Sequence, residues 1–68
     1  MNNKLKQIGK LSKKLIHCLC VFDKVTFEES QNSVFEIIKE HMNPKNPSIE
    51  DCNECIQTLT FLIRGYNS

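Results

Sequence analysis

The chain has 68 residues, of which 40% are hydrophobic and 25% charged, with only two glycines and two prolines. That composition excludes collagenous, low-complexity and strongly disordered chains. The length allows one domain, residues 1–68, and leaves little room for the enclosed cleft of a multi-step enzyme. The formal charge of +1 hides an asymmetry: residues 1–22 hold Lys4, Lys6, Lys10, Lys13 and Lys14 with no acid, whereas residues 23–68 hold all eight acids against Lys24, Lys39, Lys45 and Arg64. Either the two parts attract each other within the fold, or the basic end meets an anionic partner.

A first helix is expected from about Asn3 to Phe22. At 100° per residue, Leu5, Ile8, Leu11, Leu15, Ile16, Leu19 and Phe22 fall on one side, and Lys6, Lys10, Lys13, Lys14 and His17 on the other. This stripe is wide enough for a bundle and wider than a two-stranded coiled coil needs. Gly9, at its edge, weakens the helix by about 1 kcal/mol relative to Ala and offers a neighbouring helix a close approach. The longest mostly apolar run, Leu15 to Phe22, is interrupted by His17 and falls short of the roughly twenty residues of a spanning helix. A basic start before an apolar stretch resembles a secretory leader, but Phe22-Asp23-Lys24 offers no small-residue cleavage site. Leu15-Ile16-His17-Cys18 is a poor lipidation box because a bulky His precedes the Cys. The expectation is an unprocessed, cytoplasmic chain beginning at Met1, with no membrane engagement.

A break follows at Asp23-Lys24-Val25. Thr26-Phe27-Glu28-Glu29 then reads as a capping box in which Thr26 caps and Glu29 reaches back to its amide. The second helix should occupy about Phe27 to Met42. Phe27, Val34, Ile37, Ile38 and Met42 share its inner face, with Phe35 on the flank. Glu29, Glu36 and Glu40 line the opposite side, and Gln31 and His41 soften the stripe. Asn43-Pro44-Lys45-Asn46-Pro47-Ser48 is the clearest boundary, since two prolines among six residues cannot continue a helix.

Ser48 is a good N-cap for a third helix from Ile49 to about Arg64, with Asp51 three residues on. Ile49, Cys52, Cys55, Ile56, Leu59, Leu62, Ile63 and Tyr66 form its inner face. Gly65 is expected to end it. Glu50 and Asp51 in the first turn and Arg64 in the last suit the helix dipole. Thr58 to Ile63 has strand-like residues, but the helical period around them is stronger. The fold class is therefore all-α: a small three-helix bundle with helices at about 3–22, 27–42 and 49–64, and dimerisation expected because so short a chain buries little.

The cysteines are the sharpest chemical feature. Cys18-Leu19-Cys20 and Cys52-Asn53-Glu54-Cys55 give two pairs that a tetrahedral zinc ion could join, with His17 as a spare ligand. Against this, both pairs fall inside helices, and Cys18 and Cys20 lie about 200° apart around theirs. The plainer reading makes Cys18, Cys52 and Cys55 small buried hydrophobes and Cys20 the exposed thiol, with no cofactor. Disulfides are disfavoured in a reducing compartment. Nucleophilic catalysis needs a Cys or Ser beside an oriented base. Neither His17, next to Cys18, nor His41 supplies one by its spacing, so no enzyme is expected.

Two surfaces remain. Lys6, Lys10, Lys13 and Lys14 could meet nucleic-acid phosphates, although helix 1 carries no Arg and the turn before helix 3 is unlike that of a helix-turn-helix. Phe61 lies opposite the stripe of helix 3, and Phe35 and Val21 are also left out of a single core. The leading expectation is a non-enzymatic, protein-binding regulator or inhibitor that self-associates as a homodimer. Its interface would be built on Phe61, Phe35 and Arg64 with Glu36, Glu40 and Glu54 as an acidic rim. A nucleic-acid-binding regulator using the lysines is the first alternative. A zinc module using Cys18, Cys20, Cys52 and Cys55 is the second.

Overall fold

Three amphipathic helices, which draw most of their stability from packing their apolar faces, close over one another. The computed structural model describes residues 2–43 and 45–67; Met1, Ser68 and Pro44, one of the two prolines of the expected boundary, lie outside the described residues. Helices α1 (Asn2–Phe22), α2 (Phe27–His41) and α3 (Ile49–Asn67) form a three-helix bundle of about 33 × 24 × 17 Å, with no strand among the described residues. No helix is long and apolar enough to cross a membrane.

The short turns make α2 antiparallel to both neighbours, so α1 and α3 run parallel. Contacts at both ends show it: Lys4 near the start of α1 donates to Asn53 near the start of α3, and Phe22 at the end of α1 stacks on Tyr66 at the end of α3, with ring centroids 5.7 Å apart. The α1–α3 contact is the most extensive of the three. The core comprises Ile8, Leu15, Val34, Met42, Cys52, Cys55, Leu59 and Ile63. Leu15 and Leu59 are fully buried, and each such side chain contributes roughly 1.5–3 kcal/mol by leaving water.

The caps follow the local sequence. The Glu29 N–H donates to Thr26 Oγ1 at 3.1 Å, and the Asp51 N–H donates to Ser48 Oγ at 3.0 Å. Glu29 departs from the expected box: its carboxylate accepts from the Thr26 hydroxyl at 3.0 Å instead of from the Thr26 amide. After Pro44, the Lys45 N–H donates to Asn43 Oδ1 at 3.0 Å and the Asn46 N–H to the Asn43 carbonyl at 3.2 Å, which turns the chain toward α3.

Several expectations are corrected. Helix α2 ends at His41; Met42 is extended, with φ −148°, although its amide still bonds the Ile38 carbonyl and its side chain remains in the core. Helix α3 passes through Gly65 to Asn67, and no glycine has a positive φ. The cause is Tyr66, which the Phe22 stack and a hydrogen bond to Asp23 hold one residue beyond the expected stop. No helix approaches Gly9: a Cβ placed there meets nothing within 4 Å. Leu5, Phe22, Phe27 and Ile49, all assigned to inner faces, are exposed. They sit at helix ends, where the stripes outrun the length over which the three helices overlap.

Candidate functional site

Cys18, Cys52 and Cys55 are buried, as expected, and all four cysteines are free. Burial pushes the Cys55 thiol above its ordinary value, and the neighbouring Cys52 adds to the effect. The Cys52 thiol donates to Met42 Sδ at 3.7 Å, one more apolar contact in effect. Among the described residues, no three His, Cys, Asp or Glu side chains converge to hold a metal ion. The structure does not bring Cys18, Cys20, Cys52 and Cys55 together, because the first two diverge around α1 and the second two face the core.

Cys20 is half-buried, not the exposed thiol expected. Its sulfur lies 3.4 Å from the Ser30 hydroxyl, and Ser30 in turn donates to the Phe27 carbonyl at 2.7 Å. A hydroxyl has one proton, so Cys20 is the donor. Ser30 is fully buried and fully satisfied. Sequence reasoning missed it: the signal was its position four residues before Val34 on the same face of α2, but a serine there gives no sign of its partner on α1.

His17 is exposed, and His41 pairs through Nδ1 with Glu54 Oε1 at 3.0 Å. Glu54 is thereby a tie between α2 and α3 and not simply a rim charge.

The expected interface residues fall on two surfaces. Phe61 is 75% exposed, the most of any large apolar side chain described. The cause is geometric: it lies two residues after fully buried Leu59, about 200° round α3. One shallow depression beside it is lined by Ile56, Gln57, Thr60 and Arg64, another by Leu62, Arg64 and Gly65. Phe61 therefore stands as a ridge between two hollows, with Arg64 in both.

Phe35, 53% exposed, belongs elsewhere. It lines a depression between α1 and α2 with Ser12, Ile16, Gln31, Asn32, Val34 and Ile38, to which α3 contributes nothing. Lys39 lies over its ring, 4.7 Å from the centroid. Glu36 and Glu40 are exposed on α2. The structure joins Phe61 with Arg64, and Phe35 with the α1–α2 side.

Lys6, Lys10, Lys13 and Lys14 are all exposed on the outer side of α1. Among the described residues no Lys or Arg pairs with a carboxylate, the His41–Glu54 contact is the one between a basic and an acidic side chain, and Lys4 meets the neutral Asn53. The two oppositely charged parts of the chain are thus not zipped together by ion pairs. Compared with known proteins, the chain matches no family model, no curated protein and no solved structure.

Proposed function

We propose that this protein is a small, non-enzymatic, protein-binding regulator or inhibitor that docks the outer face of α3, around Phe61 and Arg64, onto a partner protein. The carrying observation is the 75% exposure of Phe61 between two hollows. A phenylalanine held in water on a rigid helix releases roughly 1.5–3 kcal/mol when a partner covers it. It loses little side-chain entropy in doing so, and aromatic and arginine side chains are enriched at protein interfaces. We place the protein in the cytoplasm, where four thiols stay reduced.

The test is affinity capture from the native host with wild type, Phe61→Ala and Arg64→Glu in parallel, read by quantitative mass spectrometry. The reading expects one protein whose recovery falls about tenfold or more with Phe61→Ala, while circular dichroism shows unchanged helicity. Captured proteins that are the same for all three chains would sink it.

A further inference from the structure

Three sulfur-bearing side chains gather where α2 hands over to α3. The Cys52 thiol lies 3.7 Å from Met42 Sδ, and Cys55 follows Cys52 at a spacing of three on the same inner face of α3. The two thiols are near enough for charge on Cys52 to push the Cys55 thiol up. All three residues belong to the one core cluster. The Cys52–Met42 separation is close to what a shared ion requires: with metal–sulfur bonds of about 2.3 Å, two sulfurs on a trigonal ion stand about 4 Å apart.

A buried metal site needs an entry path, and this one has two. Cys52 lines an apolar hollow between the starts of α1 and α3, together with Leu5, Pro47 and Ile49. Met42 borders a second hollow at the end of α2. Both sulfur side chains thus stand at the edge of the core, while Cys55, one turn on, is fully buried.

The donor set selects the ion. Two thiolates and a thioether are soft ligands, the combination that suits copper(I). A structural zinc ion takes four ligands and draws them from Cys, His, Asp and Glu. Among the described residues no third side chain of those types joins Cys52 and Cys55.

We propose that Cys52, Cys55 and Met42 form a copper(I) site, the ion held by two thiolates and the Met42 thioether. One Cu⁺ displaces the two thiol protons, which pass to solvent, and neither copper nor sulfur changes oxidation state. Phe61 lies on the outer side of α3, so this site and the docking role of Phe61 stand or fall separately.

The test is anaerobic titration of the full chain with Cu⁺ against a chromophoric copper(I) chelator, with X-ray absorption on the loaded protein. Wild type retains one copper per chain, releases two protons per copper at pH 7, and shows three sulfur neighbours around the metal. Met42→Leu keeps side-chain volume and fold, leaves two sulfur neighbours and weakens binding by about tenfold. Cys52→Ala and Cys55→Ala, checked for helicity by circular dichroism, lose the copper to the chelator. Cys20→Ser and Phe61→Ala keep it. The proposal is overturned if wild type yields its copper to the chelator, or if Met42→Leu leaves affinity and sulfur count unchanged. Loss of copper with Cys20→Ser, nitrogen or oxygen neighbours around the metal, or retention by a folded Cys52→Ala chain also overturns it.

Discussion

Lys24 has a φ of 62°, in the left-handed region that a side chain makes costly, and it turns the end of α1 into the start of α2. The Val25 amide reaches back to the Leu19 carbonyl at 3.4 Å, so the turn is held from inside the helix it leaves. The left-handed conformation costs a residue with a Cβ about 1–2 kcal/mol, and glycine returns about 0.5–1 of that through its freer unfolded chain. Lys24→Gly is therefore expected to stabilise the fold by about 0.5–1 kcal/mol, read as a rise of about 2–8 °C in the thermal midpoint. The sequence marked this residue as part of a break, but only the fold reveals its strain. Ser30 carries the complementary lesson. Serine is most often exposed, and its burial here depends on a thiol ten residues away in sequence and on the facing helix.

At the scale of the elements, the helix starts were legible and the ends were not. Thr26 and Ser48 announce α2 and α3 because an N-cap is a local bond between a side chain and an amide three residues on. The end of α3 is set by a distant contact: Phe22 and Asp23 hold Tyr66, and the helix continues through Gly65 to meet them. Both glycines are thus helical positions with open space where a Cβ would stand. Gly9→Ala, well inside α1, is expected to stabilise by about 1 kcal/mol. Gly65→Ala should gain roughly a few tenths of a kcal/mol, because the last turn frays. Urea unfolding of the two variants beside wild type gives the order directly.

For the molecule as a whole, the parallel packing of α1 and α3 seals Cys55 and places Tyr66 against Asp23. Burial raises the Cys55 thiol above its ordinary 9.0, and Cys52 pushes it further. The hydrogen bond to Asp23 raises the Tyr66 phenol above 10.0, with some burial besides. A raised acid is protonated in the folded state after the unfolded chain has let its proton go. Stability is therefore full below about pH 9 and falls as pH rises through that range. Unfolding free energies at pH 7 and at successive steps above 9 should show this loss. The fall should be shallower in Cys55→Ala and in Tyr66→Phe, each compared with its own value at pH 7.

Periodicity along the chain determined that this protein has three helices, which cysteines are buried and that Phe61 stands outside, since each follows from the angle between neighbours on a single helix. Tertiary structure alone decided that Phe35 and Phe61 face different ways, that the Cys20 thiol finds Ser30 as its acceptor, and that Lys6, Lys10, Lys13 and Lys14 make no ion pair among the described residues. Those outcomes depend on how the helices are rotated and levelled against one another, a property of three surfaces meeting that no single surface carries.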